Sequence, residues 1–169
     1  QFSGGLGLGF DGEAARAGLG EKVYALNVQQ YCCGGLNFGY YYPDSPVIAY
    51  DGEPQPAYSM AGFEQSTVPG CRTPHFWRRG GRSAYDDFGA DYTLLRFDPA
   101  IDVAPMLAAA KAAGMPVKLV DIAADERTHV YRHALLLSRP DLHVAWRGDA
   151  VPADTGTLFD RLRGAETVQ

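Results

Sequence analysis

Three cysteines and four histidines are the residues of this sequence best suited to nucleophilic, redox or metal chemistry. Cys32 and Cys33 are adjacent, and neighbouring side chains of a strand point to opposite faces, so the pair lacks the spacing of a redox or zinc motif. We expect both to be free thiols. Cys71 is isolated, and a bridge from it to either upstream cysteine is the open alternative, which a reducing compartment disfavours.

His129 and His133 lie four residues apart and would share one face of a short helix, where two imidazoles can bind a metal ion. No third ligand follows at a suitable spacing, and the intervening residues lack the glutamate of a zinc protease motif. The sequence therefore predicts solvated helix histidines and no metal site.

Residues 7–12 read Gly-Leu-Gly-Phe-Asp-Gly and match the G-x-G-x-x-G pattern of dinucleotide-binding turns. That pattern binds a pyrophosphate only after a buried strand, and an acidic residue should close a second strand about twenty positions later. Neither condition holds, so no cofactor-binding residue is assigned. The sequence also lacks a G-x-S-x-G elbow, a carboxylate pair of catalytic spacing and a P-loop, so no catalytic residue is assigned.

Basic and aromatic residues cluster in the middle of the chain. The cluster comprises Arg72, Phe76, Trp77, Arg78, Arg79 and Arg82. Arginine and tryptophan are enriched at protein interfaces, and arginines also bind anions. The cluster therefore predicts either an interdomain or subunit contact or an anion site.

The elements that must position these residues are clearest in the second half of the chain. Residues 92–97 form an apolar run typical of a buried strand, and an Ala-rich helix should span 101–113, with Pro105 in its first turn and Gly114 at its end. A second buried strand should cover 117–122. A strand, a helix and a strand in this order form a parallel, right-handed unit.

A short helix through Tyr131 should follow the acidic residues at 125 and 126, and two apolar strands, 135–138 and 143–147, flank a turn to form a hairpin. A final helix over 155–163 places its apolar residues on one face. The complete order is that of a thioredoxin-like α/β core. The loop after its first strand holds no cysteine, which disfavours disulfide exchange.

The first half of the chain has a different composition. Sixteen of the twenty glycines precede residue 90, and nine of the ten tyrosines lie in residues 1–92. Such a Gly- and Tyr-rich segment favours turns, short strands and irregular backbone.

Composition and charge restrict the remaining classes of protein. A length of 169 residues with 46% hydrophobic and 21% charged residues suits one globular domain and excludes a disordered tail. The net charge of -5 argues against nucleic acid as a partner, and no apolar run is long enough to cross a membrane. Without a charged-then-apolar leader, we expect a reduced cytoplasmic protein.

Three stretches of the chain resemble one known family. They are residues 27–52, the run Pro69-Gly70-Cys71-Arg72-Thr73-Pro74-His75 with its continuation to residue 96, and the hairpin of residues 138–147. Together they resemble the C-terminal part of FAD-dependent aromatic-ring hydroxylases, the phenol, dichlorophenol and polyketide hydroxylases. The resemblance covers essentially the whole chain.

The resemblance implies a thioredoxin-like C-terminal domain without redox cysteines, in an enzyme that hydroxylates phenolic rings with FAD, NAD(P)H and O2. The family's FAD fingerprint and later Gly-Asp motif have no counterpart here. We therefore expect the tail of a longer polypeptide, with residues 1–60 as a remnant of flavin- and substrate-domain strands and loops and residues 61–169 as the thioredoxin-like domain. Alone, the chain would lack the FAD site, be inactive and serve a structural role.

The expected partners are the N-terminal FAD and substrate domains of the parent enzyme and a second copy of the chain. Aromatic side chains that lose their burial partner predict a homo-oligomer, most simply a two-fold dimer. The interface candidates are Phe38, Tyr40, Tyr41, Tyr42, Arg72, His75, Trp77 and Arg82. One alternative is a free-standing domain whose rings line a pocket for an aromatic ligand, and the other is a thioredoxin-type redox protein.

Overall fold

The computed structural model describes residues 10–31 and 33–165, and its centre is a four-stranded sheet in the order β2-β1-β3-β4. The strands are β1 (Tyr92–Arg96), β2 (Val117–Asp121), β3 (Leu135–Ser138) and β4 (Val144–Gly148). β1 pairs with β2 in parallel, whereas β3 pairs antiparallel with both β1 and β4. The predicted α/β core, with its parallel pair and its hairpin, is confirmed.

Within the described residues, three α-helices accompany the sheet, namely α1 (Phe10–Tyr31), α2 (Ala104–Ala112) and α3 (Thr155–Leu162). Pro105 occupies the first turn of α2, where its missing N–H breaks no hydrogen bond, and Gly114 follows the helix with a φ of +72°. Asp154 begins α3, because its carboxylate accepts a hydrogen bond from the Thr157 amide at 2.9 Å. Two of the three helices predicted in the second half, α2 and α3, therefore form where their end signals lie.

The two faces of the sheet are buried by different kinds of structure. α2 and α3 cover one face, and the core cluster there comprises Leu94, Val103, Met106, Ala110, Met115, Leu135, Leu137, Ala145, Leu158, Phe159 and Leu162. The other face packs against side chains of loops and short helical turns. Residues 33–91, which supply Phe76 and Ala84 to that face and also reach the edge of β4, are here called the covering segment. The cluster on that face comprises Phe76, Ala84, Leu95, Phe97, Val120, Ile122, Tyr131, Leu136 and Val144.

Residues 10–31 form α1, so the short strands predicted for the beginning of the chain are wrong there, and no strand lies among the described residues before β1. Alanine, leucine, glutamate and lysine separate the glycines of this stretch, and their helix propensity outweighs the turn signal of the glycines. Leu19, Tyr24 and Leu26 on α1 are 61%, 67% and 79% exposed. None of the described helices is long and apolar enough to span a bilayer.

Residues 123–133 form turns and not the predicted connector helix. Side chains satisfy the backbone groups that a helix would pair, because Glu126 accepts from the Ala123 amide at 3.3 Å and Arg127 donates to the Tyr131 carbonyl at 2.6 Å. His129 and His133 therefore share no helix face, and the prediction of two helix histidines is wrong. His129 is exposed in a turn, whereas His133 is half-buried.

Candidate functional site

The run from Pro69 to His75 begins along the free edge of β4. The Gly70 amide donates to the Val144 carbonyl at 2.8 Å, and the Val144 amide donates to the Cys71 carbonyl at 2.9 Å. Gly70 has a φ of +94°, and a Cβ atom there would lie 2.3 Å from the carbonyl oxygen of Tyr42. Glycine alone satisfies both conditions, so Gly70 allows the two segments of chain to pass each other at the sheet edge.

Arg72, two residues later, is half-buried between aromatic rings. Its guanidinium carbon lies 5.7 Å from the centroid of the Phe38 ring and 5.8 Å from that of the Tyr85 ring, within the range of cation–π contacts. No carboxylate of the described residues lies within ion-pair distance of this guanidinium. Within the described chain, the cation is therefore stabilised by ring faces and not by an acid.

The rings beside Arg72 line a cavity of about 340 Å³ formed by loops of the covering segment. Its aromatic wall consists of Phe38, Tyr40, Tyr41, Tyr58, Phe63 and Tyr85. The titratable groups that complete it are Glu64, Cys71, Arg72 and His75. The Phe38 and Phe63 ring centroids lie 5.7 Å apart, so the wall is a contiguous apolar surface with one guanidinium in it.

His75 connects the cavity to an exposed tryptophan. Its ring makes edge contacts with Trp77 at 4.7 Å and with Tyr85 at 5.2 Å between centroids, and its Nε2 atom lies 2.9 Å from the Ser83 hydroxyl oxygen. That hydroxyl also accepts a hydrogen bond from the Tyr85 amide at 3.2 Å. The histidine and serine therefore hold a turn together, while Trp77 remains 67% exposed.

The structure gathers five of the eight predicted interface residues at the cavity. These are Phe38, Tyr40, Tyr41, Arg72 and His75. Tyr42 lies beside the cavity and packs on His143, Trp77 adjoins His75, and Arg82 lies apart with Asp87 as its ion-pair partner.

The arginines that follow Trp77 belong to a second, charged cleft at the carboxyl ends of β1 and β2. Arg78 Nε lies 3.1 Å from Glu126 Oε1, and Arg79 Nη2 lies 2.6 Å from Asp125 Oδ1. Since each of these cations has its own carboxylate, the cleft carries little net positive charge. The pairing disfavours an anion site at these arginines, whereas Arg72, the other arginine of the predicted cluster, lines the aromatic cavity and not this cleft.

His143 was not singled out from the sequence, although it lies in the predicted hairpin. Its side chain is fully buried, with the Tyr40 and Tyr42 ring centroids at 5.0 and 4.8 Å, and its Nδ1 atom lies 2.9 Å from the Asp141 carbonyl oxygen. Burial lowers the pKa of His143, although the nearby Asp141 carboxylate opposes that shift. The neutral imidazole therefore serves as a flat core residue between two tyrosine rings.

Arg147 is a buried charged residue that sequence reasoning missed, and it joins the covering segment to β4. Its side chain is 1% exposed, with Nε 2.7 Å from Asp51 Oδ2 and Nη1 3.0 Å from Thr67 Oγ1, and Nη2 binds the Glu53 carboxylate. Burial raises the pKa of both carboxyls, but the hydrogen bonds from Arg147, and from Arg132 in the case of Glu53, outweigh burial and lower both pKa values. The sequence signal that could have identified this cluster is the presence of a charged residue, Arg147, within an otherwise apolar strand.

The buried Cys71 thiol does not suit redox catalysis. Burial raises the pKa of the Cys71 thiol to about 11, so at neutral pH it is neither a thiolate nor a nucleophile. Cys71 is a free cysteine. Cys32 lies outside the described residues, so the expectation that Cys32 and Cys33 are both free thiols stays a prediction.

The starts of α2 and α3 do not fit the pyrophosphate of FAD. A pyrophosphate binds free amides at a helix N-terminus, but the Asp102 carboxylate accepts from the Ala104 amide at 2.9 Å where α2 begins, and Asp154 takes the same place at α3. These carboxylates would repel a phosphate. Of the G-x-G-x-x-G residues, Gly12 lies inside α1 and residues 7–9 are outside the described range.

Comparison with known sequences identifies relatives for most of the chain. Residues 66–165 match the family described as "Aromatic-ring hydroxylase, C-terminal". A phenol 2-monooxygenase of a Pseudomonas strain is 33% identical in an alignment that covers 89% of this chain and 27% of the relative. A putative polyketide hydroxylase of Streptomyces coelicolor is 32% identical in an alignment that covers 75% of this chain and 23% of the relative.

Solved structures of flavin enzymes also match most of this chain over a small part of their own length. The rebeccamycin biosynthetic enzyme RebC with reduced flavin superposes with a TM-score of 0.76 and 36% identity, covering 93% of this chain and 29% of that one. Aklavinone-11 hydroxylase in complex with FAD and aklavinone superposes with a TM-score of 0.53 and 30% identity, covering 74% and 26% of the two chains. The chain thus spans less than a third of the length of each relative.

Proposed function

The chain belongs to the family of aromatic-ring hydroxylase C-terminal domains, and from that premise we propose that it serves as the non-catalytic C-terminal portion of an FAD-dependent monooxygenase. The parent enzyme would hydroxylate phenolic or other aromatic substrates in the cytoplasm. FAD, bound by its N-terminal domains, would supply the redox chemistry with NAD(P)H and O2.

One observation carries this proposal, namely that the family match covers residues 66–165, which include the whole sheet with α2 and α3. The carboxylates at the starts of α2 and α3 support it, because each caps a backbone amide and places a negative charge where a cofactor phosphate would have to bind.

The proposed role of the chain is structural. Residues 1–60 would be a remnant of the flavin and substrate region, and residues 61–169 would form the thioredoxin-like domain that covers it. Exposed apolar residues on α1, such as Leu26 at 79% exposure, provide surface for those domains, and Trp77 at 67% exposure provides surface for a second copy of the chain.

The test compares the purified chain with the longer polypeptide encoded by the reading frame that contains it. Each is incubated with FAD and desalted, and flavin absorbance and NADPH oxidation in the presence of phenol are then measured. We expect the longer polypeptide to retain FAD and to oxidise NADPH, and the chain alone to do neither. Stoichiometric FAD on the chain alone, or an inactive, flavin-free longer polypeptide, would contradict the proposal.

A further inference from the structure

We infer that the cavity beside Arg72 is a binding site for a small aromatic carboxylate, with the ring against the aromatic wall and the carboxylate on the Arg72 guanidinium. The inference does not rest on the proposed structural role. It rests on the size of the cavity, on its lining and on its charge.

The size of the cavity suits one or two rings. Its volume of about 340 Å³ lies at the lower end of the range for small-molecule sites. A cavity of about 150 Å³ already binds benzene, so this one has room for a bicyclic ring with a substituent. A larger polycyclic molecule would have to extend out of the cavity.

The lining of the cavity suits an aromatic molecule. Phe38 and Phe63 contact each other at 5.7 Å between centroids with their ring planes 44° apart, and four tyrosine rings continue the wall. Tilted and edge-to-face contacts with such walls add to the hydrophobic free energy of burying a flat ring.

The charge of the cavity selects an anion. The neighbouring Arg78, Arg79 and Arg82 each have a carboxylate partner, whereas the structure gives Arg72 none among the described residues. A guanidinium donates two parallel hydrogen bonds to a carboxylate, and this geometry favours a carboxylate over a neutral hydroxyl. Cys71, with its pKa raised to about 11 by burial, adds no negative charge at neutral pH.

Glu64 is the one acid that lines the cavity, and it acts against anion binding. Its side chain is exposed, so water screens its charge more effectively than that of the half-buried Arg72. The arrangement therefore predicts opposite effects of two substitutions. Removing the charge at position 72 should weaken binding of the anion, and removing the charge at position 64 should strengthen it.

The experiment titrates the purified chain with 2-naphthoate, and with 2-naphthalenemethanol as the neutral probe of the same ring system, by isothermal calorimetry. We expect the naphthoate to bind at least about tenfold more tightly than the alcohol, because the alcohol forms no ion pair. Arg72→Met should weaken naphthoate binding by about tenfold and change binding of the alcohol by less than about twofold. Glu64→Gln should tighten naphthoate binding by about twofold.

Two further variants separate binding from folding. Tyr58→Asp places a negative charge on a 49% exposed wall residue and should abolish naphthoate binding, whereas Tyr24→Asp on α1 is the matched control and should leave it unchanged. Thermal unfolding shows whether each variant folds. If Arg72→Met does not fold, the naphthoate affinities of Tyr58→Asp and Glu64→Gln test the inference instead.

Three results would overturn the inference. They are the absence of naphthoate binding at millimolar concentration, equal affinity for acid and alcohol, and naphthoate binding that Tyr58→Asp leaves unchanged. A second copy of the chain that occupies the cavity would appear as the first of these, together with a dimer in sedimentation. None of these results bears on FAD retention by the longer polypeptide, so the two proposals fail separately.

Discussion

The sheet core and the covering segment bury aromatic and aliphatic side chains to very different extents. All four residues of β3 are at most 2% exposed, because both faces of the strand are covered. In the part of the covering segment that lines the cavity, Phe38, Tyr58 and Phe63 are 45–49% exposed, whereas Ile48 and Phe76 of the same segment are at most 4% exposed. In the sheet, the position of a residue in its strand determines how deeply its side chain is buried. In the covering segment, burial depends on individual contacts with residues that are distant in sequence.

The largest effect should come from truncation of the sheet core. Leu137→Ala removes a fully buried side chain and should lower the free energy of unfolding by about 3 kcal/mol, because it leaves a cavity between β3 and the helices. Phe63→Ala, at a 45% exposed position, should lower it by about 1 kcal/mol or less. Urea unfolding measures both. Equal losses would mean that the covering segment is as tightly packed as the sheet.

A second substitution tests the close approach of two chain segments at the sheet edge. Gly70→Ala should cost about 2–3 kcal/mol, because the new Cβ atom would lie 2.3 Å from the Tyr42 carbonyl oxygen at a φ of +94°. Gly52→Ala is the matched control, since Gly52 has a φ of +86° and open space around it, and should cost about 1 kcal/mol. If both variants unfold at the same urea concentration, the positive φ alone explains why position 70 is a glycine, and the close approach to Tyr42 does not contribute.

The Arg147 cluster should make the attachment of the covering segment sensitive to acid. The pKa values of Asp51 and Glu53 lie below those of the unfolded chain, which are about 4. Their contribution is therefore complete above about pH 4 and is lost as the pH falls through the lower, folded-state pKa values. Arg147→Met should cost about 2 kcal/mol at pH 7.

Urea unfolding between pH 7 and pH 3 measures both effects, with Arg163→Met as a control at an exposed ion pair. The wild-type chain should lose more stability below pH 4 than Arg147→Met does. Parallel pH profiles of the two proteins would show that the cluster does not attach the covering segment.

The smallest effect concerns self-association at the edge of the covering segment. Trp77→Ala should raise the dissociation constant of the dimer by about tenfold, because an exposed tryptophan beside arginines is a typical interface anchor. Tyr24→Ala, equally exposed on α1, should leave the dissociation constant unchanged. Sedimentation equilibrium measures both variants, and a wild-type chain that is monomeric at micromolar concentration would contradict the dimer.

The elements of the second half could be predicted because their signals are local. Apolar runs of strand length, Pro105 in a first turn and Gly114 after a helix each specify structure within a few residues. The connector turn could not be predicted, because the acids at 125 and 126 resemble a helix start and yet pair with Arg78 and Arg79, which are distant in sequence.

The cavity was accessible to prediction only in part. Three of the six wall rings were assigned with Arg72 to one predicted surface, whereas Tyr58, Phe63 and Tyr85 were not. The enclosure depends on residues 56–66, which carry no periodic pattern. His143 and Arg147 were missed because a strand pattern shows which positions point inward. It does not show which residues of other segments those side chains will contact.

Arg147 and the carboxylates that it binds are far apart in the sequence, and this separation determines the order in which parts of the chain can fold during synthesis. Asp51 and Arg147 are 96 residues apart, and Tyr42 and its hydrogen-bond partner Asp141 are 99 apart. The ribosome therefore releases the covering segment long before β4 exists, and contacts between such distant residues require the closure of a long loop. We expect the sheet to form first and the aromatic segment, although synthesised earlier, to dock last. Until β4 emerges, those rings are the part of the nascent chain most in need of a chaperone.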